Sequence, residues 1–456
     1  MKLKSIRLKH IGPFQNLDVQ FDYAQKPVTL ILGEHSSGKT TLLKHLFQAL
    51  SWFPARFKDA RAAGIVMQDQ DISFQKTQAK IQLDVQFPAE IGVITESSDV
   101  QQYDAHGCTW RLFKTLSASG TGISQVDTQQ LEQLVSLYQH AIHQDPLQGL
   151  PLIAYYPADR FIHEVNLLSK NIPAVFQPIS AYETVTPPYT TFARFFEWLR
   201  EVSDVENAQA AQLLQRVTQH DEDSNATPLE EVMFHAQAQL KTPHLQALKN
   251  SLQMVFPELT DLYLEYHPKL QLMARYQGQL LPYQQLSNSL KVWIALVGDV
   301  VRRLCLLNPF SLYPCLEGEG ILMIDHIDAQ LDHQLSHEIL KRLSRAFPAI
   351  QIIATGNRDE LLEHASDYQS LKLIHFQIHT IEPSAPVHLY DQIYNRLFNQ
   401  ATESAPDESP YLLSGTEQLD GLVAQIQALS PEQKQQLIQL LKPDLPSDEP
   451  HVDSAR

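Results

Sequence analysis

Apolar residues at Leu3, Ile6, Leu8 and Ile11, then at Leu17, Val19 and Phe21, alternate with polar ones around Gly12-Pro13 and predict two strands joined by a turn. The run Val28-Thr-Leu-Ile-Leu32 reads as a buried strand. It enters a Gly/Ser-rich turn and then a helix with Leu42, Leu43, Leu46, Phe47 and Leu50 at helical spacing. Strand-like alternation returns between Ile65 and Phe87, while residues 90–130 are polar and poorly periodic and predict a variable insertion. Residues 186–256 read as mainly helical, with Phe192, Phe195, Phe196 and Leu199 on one stripe. Strands are predicted over 261–266 and 270–276, a long helix over 287–307, and a fully apolar strand, Gly320–Ile324, ending at Asp325. A helix over 333–346, a strand over 350–354 and a further strand near 371–377 follow.

These patterns predict a domain split in sequence, 1–90 with 257–400, interrupted by an insertion over 91–256 that is mostly helical after 186. Residues 401–415 are rich in Ser, Pro and Glu and read as a linker. Beyond it, Leu419, Leu422, Val423 and Ile426 mark one amphipathic helix. Ser430-Pro431-Glu432-Gln433 opens a second with a capping box, giving a helical hairpin over 416–443 before a disordered acidic end. From Ala401 onward acids exceed bases by 10 − 3 = 7. There is no internal repeat.

Composition narrows the class. At about 150 residues per domain, 456 residues allow two or three domains. Hydrophobic residues at 43% and charged ones at 19% exclude a disordered or fibrous chain. The net charge of 35 − 52 = −17 argues against a broad electropositive face but permits a local basic groove, so DNA binding is possible without being indicated. Three cysteines without metal-ligand spacing point away from zinc or a disulfide framework and toward a reducing cytoplasm. No apolar run reaches membrane-spanning length, and the N-terminus alternates like a strand instead of a signal peptide. The expectation is a soluble cytoplasmic protein.

Gly33-Glu-His-Ser-Ser-Gly38-Lys39-Thr40 fits the phosphate-binding P-loop, with the required strand before it and helix after it. Its glycines let successive N–H groups point at phosphate, and the helix N-terminus adds its dipole. The predicted ATP-binding set is Gly33, Ser36, Ser37, Gly38, Lys39, Thr40 and Thr41. Thr40 supplies a hydroxyl to Mg²⁺, and Asp325, closing an apolar strand, is the second magnesium residue. Lys39 and Asp325 lie 325 − 39 = 286 positions apart, a layout rare among GTPases and small kinases.

Leu286-Ser287-Asn288-Ser289, forty residues before Asp325, resembles the LSxG signature of ABC-type and SMC/RecF-type heads. The chain is similar throughout to the bacterial AAA/RecF-like ATP-binding proteins once labelled virulence-associated, relatives of Septu-type and retron-linked phage-defence ATPases. Ile11-Gly-Pro-Phe14, Leu150–Tyr156, Phe195–Arg200, Leu286–Asp299 and Leu316–Asp325 carry the likeness, which spans residues 1 to about 390. It implies an α/β ABC/SMC-type P-loop head with a mixed sheet, to which the periodicity adds a helical insertion and a C-terminal helical tail. It implies two ATP molecules held between heads in a head-to-tail dimer or oligomer, with Ser287 and Ser289 facing the partner's phosphate. The partner would be DNA or a nuclease or other effector. The tail lies outside the likeness; its acidic linker and amphipathic hairpin favour docking of such a partner through residues 416–443 over covering the protein's own head.

The chain departs from that pattern in four places. His326 replaces the glutamate that polarises water, Ser289 replaces the signature glycine, and Leu290-Lys291 replace an aromatic and an arginine. The switch segment reads Thr355-Gly356-Asn357 instead of Thr-His-Ser. Asp325 and His326 remain the catalytic candidates, and weakened hydrolysis is the expectation, a nucleotide-locked scaffold its alternative. Arg302-Arg303 read as a solvated helix face. Arg160 in Tyr155-Tyr-Pro-Ala-Asp-Arg160 matches a family arginine and reads equally as a nucleotide contact or a salt bridge. Asp328 and Asp332 fall where such heads place the segment that crosses the dimer. For Asp332 a helix N-terminal charge serves equally well. His333 and His337 read as surface residues and not as metal ligands.

Overall fold

A computed structural model describes residues 1–94, 105–117, 122–162, 177–183, 189–190, 192–220, 243–362 and 367–381. The predicted linker and helical hairpin lie outside the described residues. In chain order the elements are β1 (Lys2–Ile11), β2 (Phe14–Gln20), β3 (Val28–Leu32), α1 (Lys39–Leu50), α2 (Trp52–Lys58), β4 (Gln78–Gln86), β5 (Gly107–Thr115) and β6 (Ile123–Asp127). Next come α3 (Gln129–Gln144), β7 (Leu152–Tyr156), the short pair β8 (Asp159–Arg160) and β9 (Tyr189–Thr190), α4 (Ala193–His220) and α5 (Pro243–Val255). A three-stranded unit of β10 (Leu259–Glu265), β11 (Gln271–Tyr276) and β12 (Gln279–Pro282) precedes α6 (Asn288–Leu307) and α7 (Pro314–Glu317). The order ends with β13 (Gly320–Ile324), α8 (His333–Ala346), β14 (Ile350–Gly356), β15 (Gln369–Ile374) and β16 (Gln377–Thr380).

Two sheets organise the molecule. One is antiparallel, in the order β2-β1-β4-β5-β6. The other is mixed, β16-β15-β3-β14-β13-β7, parallel except for β16 at its edge. Every residue of β3, β13 and β14 is buried, as a sheet covered on both faces requires. Register aligns Gly356 with Leu32 and Ile324 with both Ala354 and Tyr156, so these strands present their C-terminal ends side by side. Such ends, in an open α/β sheet, are where ligands bind.

The expected insertion over 91–256 is corrected at its front half. β5 and β6 continue the antiparallel sheet from β4, and β7 pairs with β13 inside the mixed sheet. The polar look of residues 107–115 hides a period-two pattern, because Cys108, Trp110 and Leu112 are buried while Thr109, Arg111 and Phe113 sit on the other face. Strand structure within Ile65–Phe87 is confined to β4, and the strand expected near 371–377 is the hairpin β15–β16.

α6 is wrapped by protein. Ser287 caps it through Leu290 N–H, and every residue from Val292 to Leu307 is buried. That includes Arg302 and Arg303, which overturns the solvated face predicted for them. Asp299 binds Arg302 Nε through Oδ1 and Arg303 Nε through Oδ2, both at 2.8 Å, and Tyr156 donates its hydroxyl to Oδ2 at 2.8 Å. Burial alone would push the Asp299 carboxyl up, but Arg303 and Arg302 overcome it and hold the group well below the carboxylate range. No helix among the described residues is long and apolar enough to cross a membrane.

A candidate nucleotide-binding site

β3 ends at Leu32, and the loop from Gly33 to Gly38 delivers the chain into α1. Gly38 takes a left-handed conformation at the cap (φ 101°), and a Cβ there would lie 2.7 Å from Phe14 Cζ. Glycine therefore serves both the turn and the close approach of the first hairpin. Ser36 also has positive φ (63°), completing the curl. Lys39 folds back over the loop. Its buried ammonium donates to Gly33 O at 2.6 Å, Glu34 O at 2.8 Å and Ser37 Oγ at 3.4 Å. Burial lowers its pKa, and the Asp325 and Asp328 carboxylates oppose that shift. Thr40 is exposed and Thr41 half-buried at the start of α1.

Asp325, fully buried, follows β13. Its Oδ1 accepts the Thr355 hydroxyl at 2.6 Å, and that hydroxyl in turn accepts His326 N–H at 2.9 Å. Asp325 Oδ2 is buried without a hydrogen-bond partner among the described residues. A buried carboxylate oxygen left bare is costly, and a hard cation with oxygen ligands removes that cost. The donor set of Asp325 and the Thr40 hydroxyl thus fits Mg²⁺.

His326 sits at φ 47°, turning the chain sharply after the strand. Its Nδ1 lies 3.4 Å from Asn357 Nδ2, so with the amide donating the ring proton resides on Nε2. Asp328 Oδ2 accepts the N–H groups of Asn357 (2.8 Å) and Arg358 (3.0 Å). Asp328 is buried and anchors the switch segment within its own head. Asp332 caps α8 through Leu335 N–H at 2.7 Å, the plainer of its two readings.

Among the described residues Arg160 makes no ion pair with a carboxylate, so the salt-bridge reading is replaced by main-chain contacts. Its buried guanidinium donates to the carbonyls of Pro157 (2.9 Å), Asp325 (2.6 Å) and His326 (3.0 Å), and lies 5.8 Å from the Trp293 ring on α6. Burial lowers its pKa to about 10, opposed chiefly by Asp325. It therefore ties the turn after β13 to the helix that begins at Ser287.

The structure brings Lys39, Asp325, His326, Thr355 and Asn357 to neighbouring strand ends. Ser287 and Ser289 stand apart at the start of α6, where Ser287 Oγ accepts Leu290 N–H at 3.3 Å. Two functional residues were not assigned these roles from sequence. Thr355 bridges Asp325 to His326, and its only trace is a hydroxyl near the end of a strand that is apolar but for Gln351. Arg160 acts on main-chain carbonyls, which leave no sequence partner to find.

A strand, a phosphate-type loop, a helix and a carboxylate at the end of another parallel strand of the same sheet, with β14 between them, define a P-loop ATPase-type head. The chain belongs to the AAA domain family, whose model matches residues 5–260, more than half of its length. It is 23% identical over 410 residues to the retron Ec83 probable ATPase of Escherichia coli, covering 82% of this chain and 71% of that one. With the retron Vc95 probable ATPase of Vibrio cholerae it shares 22% over 406 residues, covering 82% and 73%. A 72-residue stretch is 39% identical to the Septu protein PtuA of Bacillus mycoides, 16% of this chain and 9% of that protein. Among solved structures, an SMC head bound to the C-terminal winged-helix domain of ScpA overlaps 84% of this chain and 98% of its own, at a TM-score of 0.45 and 11% identity.

Proposed function

We propose that this protein is a cytoplasmic ATP-binding head whose nucleotide state governs head-to-tail self-association and the recruitment of a nuclease or other effector in phage defence or DNA maintenance. The observation that carries the reading is the pairing of a buried P-loop lysine with a buried, half-unpartnered Asp325 carboxylate. Lys39 binds phosphate oxygens in place of loop carbonyls, since a full negative charge outcompetes a carbonyl dipole. Thr40 and Asp325 would hold Mg²⁺, which would supply neutralisation of phosphate charge. Ser287 and Ser289 present the α6 N-terminus to the partner head's nucleotide.

Hydrolysis is slow in this reading. With its ring proton on Nε2, His326 faces water as a donor, and a base needs a free lone pair there. Gly356 offers no side chain to sense phosphate, and a Cβ there would meet Leu361 Cδ1 at 2.2 Å. The same histidine supports a second reading. With the Asn357 amide turned over, its oxygen takes the Nδ1 proton and leaves Nε2 free to act as base. Calorimetry with Mg·ATP tests binding, and phosphate release compared with Lys39→Ala tests turnover. Heat of binding without Lys39-dependent turnover supports the locked head. Clear turnover that is lost in His326→Ala supports the active one, and no heat at all ends both. In the locked head, His326→Glu restores a water-orienting carboxylate and raises turnover at least about tenfold.

A further inference from the structure

The antiparallel sheet buries one face, with Leu8, Leu83 and Trp110 among its fully covered residues, and turns the other outward. Two adjacent rows on that open face differ in charge. Across β2, β1, β4, β5 and β6, one row runs Asp18, Arg7, Gln82, Arg111, Asp127. It is balanced, because Arg7 pairs with Asp18 at 3.0 Å and Arg111 with Asp127 at 3.2 Å. The next row runs Asn16, Lys9, Lys80, Phe113, Gln125, with no acid in it. Lys9 and Lys80 stand directly opposite each other, an arrangement that repels. Lys80 lies 5.6 Å from the Phe113 ring, and no carboxylate pairs with Lys9, Lys76 or Lys80 among the described residues. Partial burial and then the charges of Arg111, Lys9 and Arg7 lower the Lys80 pKa, the mark of a locally positive field on a chain of net charge −17.

That row opens into a depression of about 330 Å³ floored by Phe113 and rimmed by Lys9, His10, Lys76 and Lys80, with no acidic residue in its lining. Beside it the Ser73–Lys76 turn holds Phe74 at 90% exposure, a large ring offered to solvent for no packing reason. We propose that this face binds single-stranded nucleic acid. Lys9, Lys76 and Lys80 take backbone phosphates, Phe74 stacks on a base, and Asn16 and Gln125 lie in the same acid-free row. The repulsion between Lys9 and Lys80 is relieved when a phosphate lies between them. A single strand suits the site because its bases expose the π-faces that Phe74 can cover, whereas a duplex hides them. An acidic peptide would satisfy the lysines but give Phe74 nothing to stack on.

Fluorescence anisotropy on the full chain tests this, with a labelled oligothymidylate of about 15 nucleotides at about 50 mM salt. Expected are measurable binding, a duplex of the same sequence at least about tenfold weaker, and polyglutamate failing to compete. Lys9→Gln/Lys80→Gln should weaken binding about tenfold or more and flatten the log–log salt slope by about 1.4, two phosphate contacts' worth. Phe74→Ala should weaken binding by about tenfold while leaving the slope unchanged. The double glutamine variant should melt no lower than the parent and keep its Mg·ATP heat, which separates this face from the nucleotide site. No binding by the parent, unchanged binding by the double variant, or equal competition by duplex or polyglutamate would overturn the assignment.

Discussion

The two sheets place chemistry in different ways. In the mixed sheet, strands β3, β13 and β14 are buried residue by residue, so nothing along their length can meet a ligand. The candidate groups appear only where those strands stop, at Gly33, Asp325 and Asn357, and they are buried or half-buried, the last two linked by hydrogen bonds through Thr355 and His326. The antiparallel sheet has one wet face, and its charged side chains act from mid-strand with few fixed partners. A change near the mixed sheet should therefore act nearly all-or-none, while a change on the open face should act by degrees.

The largest effect that sharpens the contrast lies on α6. Asp299→Asn leaves two buried arginines without their counter-charge, and removing one partner of such a set costs about 3–5 kcal/mol. Thermal or denaturant unfolding reads it, and a loss below about 1 kcal/mol would show that the triad matters no more than a surface pair. The pH dependence has a definite sign. The folded pKa of Asp299 is depressed, so its stabilisation is complete above the unfolded value of about 3.9 and is lost as pH falls below it. Asp299→Asn should therefore lose less stability than the parent on acidification through that range.

Next in size is Lys39→Ala. In the proposed site Lys39 exchanges its loop carbonyls for phosphate oxygens, and hydrogen bonds to charged groups contribute about 1.5–3 kcal/mol each. Mg·ATP affinity should fall about a hundredfold or more by calorimetry. Affinity within threefold of the parent would mean that triphosphate does not sit at the end of β3.

What could be read from sequence follows the same division. The P-loop was legible because its eight residues are contiguous and flanked by the right periodicities. Asp325 was legible because four apolar residues precede it. The helices at 288–307 and 333–346 were legible from spacing. Residues 107–127 were missed because an open-faced sheet needs only every second residue apolar, and Lys, Arg and Thr between them mimic a loop. Arg302 and Arg303 were misplaced because charged pairs on helices normally face water. Only the tertiary approach of Tyr156 and the 181–183 segment explains their burial, with Arg303 donating to Ala181 O and Glu183 O. The Thr355 bridge joins positions thirty apart, a distance no local pattern spans.

Arg160→Lys is a smaller test of the strand-end cluster. A lysine keeps the charge but has one nitrogen, which cannot span the carbonyls of Pro157, Asp325 and His326 while lying over Trp293. Because Arg160 fixes the main chain of Asp325, the proposed magnesium residue, and makes no hydrogen bond to a P-loop group among the described residues, the effect should be selective. ATP affinity without magnesium stays near the parent value, while the gain on adding magnesium shrinks about tenfold, near 1.4 kcal/mol. Equal losses with and without magnesium would make Arg160 a general support of the fold and not a positioning residue for Asp325.

The smallest expected effect has the opposite sign and belongs to the open face. Lys80→Gln removes a like-charge pair set directly across two strands, and such pairs destabilise by roughly 0.2–1 kcal/mol. It also gives up the contact with Phe113, which at a partly exposed site contributes about 0.5–1 kcal/mol. The two nearly cancel, and salt separates them. Screening weakens the repulsion between Lys9 and Lys80 over a Debye length of about 10 Å at 0.1 M, while the ring contact at 5.6 Å is screened less. Lys80→Gln should therefore melt at or above the parent at low salt and lose that advantage as salt rises. A lower melting temperature at every salt concentration would mean that Lys80 is there to hold the sheet together, and the contrast between a rigid strand-end site and a ligand-ready face would fail on its second half.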